Sequence, residues 1–399
     1  MWPRLLANKI LKNRLLGSNN FVADFPSDSE STASSLLENT ITTTIPSSCD
    51  FAQPTLSFDT IFNPKKDVHK YKFFVSTWNV GGIEPHEDLN LEDWIDLSCD
   101  VHVFGFQEVV PLKASNVLGS ENSKNSTKWN SLIRKALNKN QKEEYDDQIM
   151  QNCFQCIISK QMVGIMISVW VRTSLRPFIK QPSVSCVGCG IMGCLGNKGS
   201  VSVRFLIHET SFCFVCSHLA SGGRQGDEKY RNSNVREILS RTSFPRGPLL
   251  MPQKILHHDR VIWLGDLNYR ISLPEATIRL LVDRGDWSAL LEYDQLRSEL
   301  VEGQVFEGWH EGPIKFAPTY KYCINSDIYF GGIHGGKGEK KRAPSWCDRI
   351  IWHGKGLKQH FYTRGESKLS DHRPVNAIFS AEVGILEDST GNSFYQKVE

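Results

Sequence analysis

The stretch VIWLGDLNYR, residues 261–270, joins a continuous apolar run to an abruptly polar end. Val261 to Leu264 are apolar, Gly265 interrupts them, and Asp266 and Asn268 follow two positions apart. In an extended chain, side chains two positions apart point the same way. The stretch therefore predicts a buried strand that presents a carboxylate and a carboxamide together at its end, which is typical of a functional site.

The bulk composition indicates a globular protein that is not a dedicated nucleic-acid binder. The chain has 399 residues, of which 40% are apolar, so it can bury a sizeable core as one large domain or two ordinary ones. The net charge of +2 is far from the strongly basic balance of a nucleic-acid-binding protein. Eleven dispersed cysteines fit a reduced, cytosolic compartment better than a disulfide scaffold.

Both ends of the chain differ from its middle. Residues 1–67 are predicted to be an N-terminal tail with a Ser/Thr-rich linker, largely disordered, because this composition buries too little surface to offset ordering entropy. The basic segment MWPRLLANKILKNRLL could be a membrane-surface helix, a transit peptide or, the favoured interpretation, a frayed helical end. Residues 68–385 are predicted to form the folded domain, and residues 386–399 a C-terminal tail.

The middle of the chain alternates short apolar runs with a few helical patterns. Regular structure is expected from about Tyr71, and runs such as YKFFVSTWNV, GIMISVWVR, FCFVCSHL and VNAIFSAEV predict strands. Spacing near 3.6 predicts helices at 129–138 and 228–242, and two more within 273–296, separated at Gly285. Many strands with few helices favour two packed β-sheets flanked by helices.

Several other strands end as VIWLGDLN does, in a polar group. The residues in such positions are Asn79, Glu108, His218, Asp348, Asp371 and His372. Each one alone is explained by a turn, an ion pair or a satisfied core histidine. Together they are costly at the edge of a dry core unless a cation or a protonated base compensates the carboxylates. A magnesium ion and His372 could do both.

The motifs WNVGG, FQEVVPL, GNKGSVSVRF, SHLASG, WLGDLNYR, PTYKY, RAPSWCDRIIW and SDHRPV occur in this order between about Tyr71 and Val383. This set closely resembles the inositol polyphosphate 5-phosphatases of the exonuclease–endonuclease–phosphatase superfamily, and ASGGRQGDEKYRNSNVREILSRTSF resembles their plant subgroup. The resemblance implies a DNase I-like α/β fold: a four-layered sandwich of two packed, mostly antiparallel β-sheets flanked by helices. It places the site where the strand ends converge.

The resemblance also implies roles for the polar residues. Glu108 would be the principal ligand of Mg²⁺, with Asn79 close by. Asp266 would orient or deprotonate the attacking water, and Asn268 would hold a phosphate oxygen or that water. His372, held by Asp348, would act either as an imidazolium or as a neutral base. His218 would contact the phosphate. Asp371 would orient the network on the metal side. Because neighbouring side chains in a strand diverge, Asp371 and His372 can share one site only if SDHRP is a loop.

Substrate choice depends on what holds the other phosphates. In the family, a Tyr-Lys pair and a Lys-x-Arg pair hold the 4-phosphate, and this chain offers Tyr320 with Lys321 and Lys340 with Arg342. The GNKGS loop with Lys198 could equally be a phosphate nest or a tight hairpin.

The expected substrates are phosphoinositide lipids, chiefly phosphatidylinositol 4,5-bisphosphate, with the 3,4,5-trisphosphate as a second candidate. A phosphatase of soluble inositol 1,4,5-trisphosphate, a nuclease of the same superfamily and a silent phosphoinositide-binding scaffold are the alternatives. We expect a cytoplasmic monomer that binds no nucleic acid and contacts membranes peripherally, through the PLKASNVLG loop or the basic N-terminus.

Overall fold

A computed structural model describes residues 66–91, 94–119, 121–139, 153–246, 251–331 and 342–386. Of the predicted tails at 1–67 and 386–399, residues 1–65 and 387–399 lie outside the described residues, as does Lys340. None of the helices in the described ranges has the length and apolar character needed to cross a bilayer.

Twelve strands form two six-stranded sheets. In chain order they are β1 (Lys66–Asn79), β2 (Val101–Gln107), β3 (Phe154–Met162), β4 (Ile165–Arg172), β5 (Ile179–Gly188), β6 (Gly199–Ile207), β7 (Thr210–His218), β8 (Arg260–Asp266), β9 (His310–Glu311), β10 (Asp348–His353), β11 (Leu357–Arg364) and β12 (Val375–Leu386). The first sheet has the order β11-β12-β1-β2-β4-β3 and the second β5-β6-β7-β8-β10-β9. Each contains one parallel pair, β1–β2 and β7–β8 respectively, and its other pairs are antiparallel.

Strand β8 shows why its sequence is apolar at consecutive positions. Ile262 and Leu264 pack in the core between the two sheets. Val261 and Trp263 point to the opposite face, where they pack in a second cluster beneath the outer helices. A strand whose sheet is covered on both sides needs apolar residues at successive positions, because side chains alternate between the faces.

Helices cover the outer faces of both sheets. They are α1 (Ala114–Leu118), α2 (Lys124–Leu137), α3 (Glu228–Arg241), α4 (Glu275–Asp283), α5 (Trp287–Leu291) and α6 (Gln295–Glu302). Helix α2 buries Trp129, Ile133 and Leu137 against the first sheet. Val235 and Ile238 of α3 and Leu296 of α6 pack on the second sheet. The predicted four-layered sandwich is confirmed.

The segment 273–296 holds more helices than the two that its periodicity predicts. It contains α4 and α5, and α6 begins before it ends. Asp286 accepts a hydrogen bond from the backbone N–H of Ala289, and Asp294 accepts one from that of Arg297. These two side-chain caps start α5 and α6 separately, because an acceptor at the N-cap satisfies amides that the new helix leaves free.

Strands β5, β9 and β11 were not predicted. Strand β5 contains Pro182 and an irregularity between Lys180 and Ser183, and β11 is mostly polar and partly exposed. All three lie at sheet edges, where an apolar pattern is not required. Strand β1 also begins at Lys66 rather than near Tyr71, because its polar first residues pair with the end of β12.

Candidate active site

The strand register of the second sheet places three predicted site residues side by side on neighbouring strands. His218 at the end of β7 pairs with Asp266 at the end of β8, and Asp266 pairs on its other side with Asp348 at the start of β10. At the end of the first sheet, Asn79 pairs with Gln107, which precedes Glu108. The strand ends therefore converge as predicted.

Asp266 is the centre of this cluster. Its Oδ2 accepts a hydrogen bond from Asn79 Nδ2 at 2.9 Å and lies 3.2 Å from His218 Nε2 and 4.0 Å from His372 Nε2. Burial alone would raise the pKa of Asp266, but the charges of His218, His372 and Lys198 hold it well below its usual range. Asp266 is therefore an ionised carboxylate in a buried site.

Gly265 explains why the apolar run stops where it does. Its φ is 149°, and a Cβ at this position would lie 2.0 Å from the carbonyl oxygen of Ser217 in β7. Gly81 of WNVGG is similar: its φ is 60°, and a Cβ at this position would lie 3.1 Å from Ser370 Oγ. Gly265 thus lets β7 and β8 approach closely, and Gly81 leaves room for the Ser370 and Asp371 side chains.

His372 and Asp348 form a buried pair. His372 Nδ1 lies 2.9 Å from Asp348 Oδ2, and the same oxygen accepts a hydrogen bond from Thr319 Oγ1 at 2.7 Å. Burial alone would lower the pKa of His372, but Asp348 raises it to about 9. Burial also raises the pKa of Asp348, so the pair shares a proton. We place that proton on the imidazole, because Thr319 already donates to Asp348 and Asp266 faces the second ring nitrogen.

Lys198 joins the cluster from the GNKGS loop. Its Nζ contacts His218 Nε2. Burial lowers the pKa of Lys198 to about 8, although Asp266 and Glu108 oppose the shift. The loop connects β5 to β6, and only the fold shows that its lysine reaches His218. Thr319 was missed altogether, although it belongs to the PTYKY motif.

Glu108 is the carboxylate of the cluster best suited to a hard cation. Its side chain is 28% exposed, whereas that of Asp266 is 2% exposed. Its Oε1 lies 3.4 Å from Asn79 Nδ2 and 3.8 Å from His218 Nε2, both longer than an ordinary hydrogen bond. The oxygen thus keeps capacity for a ligand. Asn79 Oδ1 accepts a hydrogen bond from Gly81 N–H at 3.0 Å, and its nitrogen faces the carboxylates.

A compact group of potential ligands also comprises Asp266, Asp348 and His372, whose ligand atoms lie within 4.8 Å of one another. Both ring nitrogens of His372 face a carboxylate in this group. An imidazolium satisfies both contacts, whereas an imidazole bound to a metal would have to lose one of them. The donor set therefore favours Glu108 as the place for a metal ion.

Asn268 lies next to Asp266, with its side chain held by protein groups. Its backbone N–H donates to Asp266 Oδ1 at 3.1 Å. Its Nδ2 donates to the Leu219 carbonyl at 3.1 Å, and its Oδ1 accepts from Arg270 Nη2 at 2.6 Å. Its φ of 58° is left-handed, a conformation that asparagine tolerates better than most residues. Asp266 and Asn268 are adjacent in the site because the chain turns there.

Tyr320 and Lys321, two of the predicted substrate-binding residues, lie beside this cluster. The Tyr320 ring packs on the His372 ring, with 4.5 Å between their centroids. Lys321 Nζ lies 3.0 Å from Asp371 Oδ2, so Asp371 holds a lysine of PTYKY. SDHRP is indeed irregular around Asp371. Arg342 lies further out, close to Gly223.

Comparison with known proteins shows which family this chain resembles. Residues 76–378 match the model of the Endonuclease/Exonuclease/phosphatase family 2. The chain is 61% identical over 401 residues to the type IV inositol polyphosphate 5-phosphatase 9 of Arabidopsis thaliana, covering 96% of this chain and 92% of that protein. It is 49% identical over 347 residues to the type I inositol polyphosphate 5-phosphatase 8 of the same plant, covering 80% of this chain and 72% of that protein.

The chain belongs to the inositol polyphosphate 5-phosphatases. Members of this family are phosphoric monoester hydrolases. Among solved structures, this 5-phosphatase is similar to the inositol polyphosphate 5-phosphatase domain of SPsynaptojanin in complex with inositol (1,4)-bisphosphate and calcium ion. The TM-score is 0.69 with 33% identity, over 80% of this chain and 87% of that one. The Cimex nitrophorin ferrous NO complex, at 20% identity and a TM-score of 0.58, shares the fold alone.

Proposed function

We propose that this 5-phosphatase uses Mg²⁺ to remove the 5-phosphate from phosphoinositide lipids, chiefly phosphatidylinositol 4,5-bisphosphate and secondarily the 3,4,5-trisphosphate. The supporting observation is the continuous set of contacts, from 2.9 to 4.0 Å, that links Asn79, Asp266, His372 and Asp348, with Glu108 at its partly exposed edge. The SPsynaptojanin domain was solved with inositol (1,4)-bisphosphate, the ring that remains when inositol 1,4,5-trisphosphate loses its 5-phosphate.

Glu108 would hold the metal ion, with Asn79 beside it. Calcium and magnesium are both hard cations that prefer oxygen ligands, so the calcium of the SPsynaptojanin complex supports a site of this class. When bound, the ion would neutralise negative charge on the phosphate. Asn79 donates its amide hydrogens toward Glu108 and Asp266, and so keeps both carboxylates in place.

The residues around the phosphate would then have separate roles. Asp266 is too acidic to be an efficient base near neutral pH, so its role is to accept a hydrogen bond from the attacking water and orient it. His372, charged through Asp348, would stabilise negative charge on the phosphoryl group. His218 and Asn268 would contact phosphate oxygens, and Asp371 would hold Lys321.

The 4-phosphate would be held by Tyr320, Lys321 and Arg342, together with Lys340, which lies outside the described residues. Tyr320 is fixed by its stacking on His372, so a contact to the neighbouring phosphate is placed relative to the catalytic imidazole. A ring phosphate could compete with Asp371 for Lys321, since their ion pair is partly exposed.

Membrane contact would come from the PLKASNVLG loop. Leu118 is 59% exposed, and Val117 beside it packs with Val163 and Leu195. Ile191, also exposed, belongs to the loop that ends in this cluster. Gly164, next to Val163, lies against both Leu112 and the Glu108 backbone, so the apolar loop is attached to the metal side of the site. An exposed leucine held by a buried anchor suits shallow insertion into a bilayer.

One assay tests the substrate, the metal and the membrane contact together. Phosphate release is measured with Mg²⁺ from phosphatidylinositol 4,5-bisphosphate vesicles and, side by side, from inositol 1,4,5-trisphosphate. We expect EDTA and Glu108→Gln to abolish both activities. We expect Leu118→Ser to slow hydrolysis on vesicles alone, whereas Val301→Ser, at an exposed position of α6, should change neither.

Three outcomes would contradict the proposal. Equal use of a substrate without a 4-phosphate would remove the roles of Tyr320, Lys321 and Arg342. Full activity in EDTA would remove the metal. A strong preference for inositol 1,4,5-trisphosphate over vesicles would favour the soluble-substrate alternative.

A further inference from the structure

Helix α6 begins with two residues that hold the chain next to the catalytic cluster. Asp294, its N-cap, accepts two hydrogen bonds of 2.9 Å from Nη1 of Arg349, the second residue of β10. Gln295, its first residue, holds Arg270 at the end of the WLGDLNYR motif. The backbone N–H of Gln295 donates to the Arg270 carbonyl at 2.9 Å, and Gln295 Oε1 accepts from the Arg270 backbone N–H, also at 2.9 Å. Arg270 is therefore fixed to α6 through both of its backbone polar groups.

The side-chain oxygen of Gln295 also joins a second loop to this one. Oε1 accepts a hydrogen bond from Arg231 Nη2 at 2.7 Å. Arg231, on α3, is fully buried, and its Nη1 donates to the Gly222 carbonyl at 3.2 Å. Gly222 belongs to the loop that follows His218. One amide oxygen, which accepts from two N–H donors as an oxygen can, thus connects the loop after β7 with the loop after β8.

Arg270 transmits this support to the side chain of Asn268. Arg270 Nη2 donates to Asn268 Oδ1 at 2.6 Å, and Asn268 Nδ2 donates to the Leu219 carbonyl at 3.1 Å. These two bonds determine which end of the Asn268 amide is oxygen and which is nitrogen. The bond to Leu219 takes one of the two hydrogens on Nδ2, and the other can be donated to a phosphate oxygen. An amide turned the other way would present an acceptor to a negatively charged phosphate, which is repulsive.

The buried polar side chains of α3 attach to the same two loops. Asn234 Oδ1 accepts from the backbone N–H of Ala220 at 2.9 Å, and Asn232 Oδ1 accepts from the Tyr269 hydroxyl at 2.6 Å. Polar groups are tolerated on the buried face of a helix when they are hydrogen-bonded. The motif ASGGRQGDEKYRNSNVREILSRTSF, which runs from the loop after β7 into α3, therefore contains the residues that attach this helix to the site.

We infer that Gln295 is a positioning residue for the reaction: it joins the loops after β7 and β8 and so fixes the amide of Asn268 toward the phosphate. Gln295 touches no reacting atom and acts through Arg270. The inference rests on the proposed function, because it takes the contact between Asn268 and a phosphate oxygen as given. Gln295 is partly exposed, whereas Asp294 and its partner Arg349 are fully buried, so Gln295 can be replaced without leaving a buried charge unpaired.

The test compares Gln295→Leu with Gln295→Glu in steady-state kinetics on inositol 1,4,5-trisphosphate with Mg²⁺. Leucine removes the shared acceptor of Arg231 and Arg270, whereas glutamate keeps an oxygen there. We expect Gln295→Leu to lower kcat about tenfold with KM within twofold, since one misplaced hydrogen bond to the transferring phosphate has an effect of this order. Gln295→Glu should recover most of kcat. The matched control is Gln304→Leu, at an exposed position after the same helix, and its kcat should equal that of the wild type.

A double-mutant cycle separates positioning from general stabilisation. If Gln295 acts through Asn268, Gln295→Leu should lower kcat no further in an Asn268→Ala background. The side-chain amide signal of Asn268 in NMR, which needs no turnover, should shift in Gln295→Leu and stay in place in Gln304→Leu. Additive losses of kcat, an unchanged kcat in Gln295→Leu or an unshifted Asn268 signal would overturn the inference and leave the proposed function standing. If the wild-type protein releases no 5-phosphate from this ring or from lipid vesicles, the proposed function itself fails.

Discussion

His372 and Asp348 are joined by a contact of 2.9 Å between Nδ1 and Oδ2, and both side chains are buried. The two residues come from different parts of the chain, a loop before β12 and the first position of β10. Burial disfavours a charged imidazole, yet the carboxylate outweighs it and raises the pKa of His372 to about 9. His372 is therefore an imidazolium at neutral pH because Asp348 is there.

Asp348→Asn should uncouple this pair. With the Asp348 carboxylate gone, only Asp266 and Asp371 oppose burial, so the pKa of His372 falls from about 9 and more of the rings are neutral at pH 7. We expect kcat to fall about 100-fold, the usual scale for losing a positioned proton donor. Titration of the His372 ring by NMR measures the pKa directly. Thr319→Val is the matched control, since it removes a hydrogen bond to Asp348 but leaves the charge. An unchanged His372 titration in Asp348→Asn would contradict the pairing.

Asp266→Asn should separate binding from turnover. The change keeps the shape of the side chain but removes the charge that faces His218 and His372. We expect kcat to fall about 1000-fold, because the water loses its acceptor and the charge pattern of the site is disturbed. Binding of inositol 1,4-bisphosphate, measured by calorimetry, should change by only a few-fold. Asp283→Asn, at an exposed position of α4, controls for loss of a carboxylate. Retained turnover in Asp266→Asn would refute its role.

Much of the fold could be predicted from the sequence because the central strands are covered on both sides. In β8 every position from Val261 to Leu264 is buried, and such runs are visible without coordinates. Strand β11 could not be found in this way. It is an edge strand with exposed residues such as Phe361, and it exists because β12 offers it a hydrogen-bonding partner.

The site residues likewise include some that could be predicted from the sequence and some that could not. The pairing of Asp266 and Asn268 could be predicted from their spacing, but the reason differs from the alternation of a strand, because Asn268 lies beyond the end of β8 and the chain turns there with a φ of 58°. Thr319 could not, since its hydrogen bond to Asp348 depends on how PTYKY crosses the start of β10. The partner of Asp371 could not be predicted from the sequence either. Its ion pair with Lys321 joins positions 50 residues apart, which only tertiary structure brings together.

Arg279 positions the chain next to the proposed 4-phosphate subsite, and its role there can be tested. Its Nη2 donates to the carbonyl of Phe330 at 2.7 Å and to that of Arg342 at 3.3 Å. This one group thus holds two chain positions next to the proposed 4-phosphate subsite. Arg279→Lys cannot keep both contacts together with the ion pair to Glu275, because it lacks the planar fork. We expect KM for inositol 1,4,5-trisphosphate to rise about fivefold while kcat stays within twofold.

The control for Arg279 is Arg284→Lys, at the exposed end of the same helix. KM for a ring without a 4-phosphate should be the same in Arg279→Lys and in the wild type. An equal rise in KM for both rings would show that Arg279 stabilises the domain rather than the subsite.

Two buried histidines should make the stability of the domain sensitive to mild acid. Burial lowers the pKa of His102 and that of His258 to about 4 each. In the unfolded chain their pKa is about 6.5. Above pH 6.5 neither state binds the proton, and between 6.5 and 4 only the unfolded state does. The free energy of unfolding is therefore undiminished above pH 6.5 and falls as the pH drops, by up to about 1.4 kcal/mol per pH unit for each histidine.

Urea unfolding at pH 7.5, 6 and 5 measures the slope of the free energy of unfolding against pH. His102 faces the Asp96 carbonyl through Nε2 at 2.8 Å, and its Nδ1 has no hydrogen-bond partner in the described part of the chain. His102→Gln should lower stability at pH 7.5 but remove about half of the histidine-dependent slope, because glutamine does not titrate. His86→Gln, at an exposed position, should leave the slope as it is in the wild type. A slope unaltered in His102→Gln would mean that the buried ring takes up its proton without unfolding the domain.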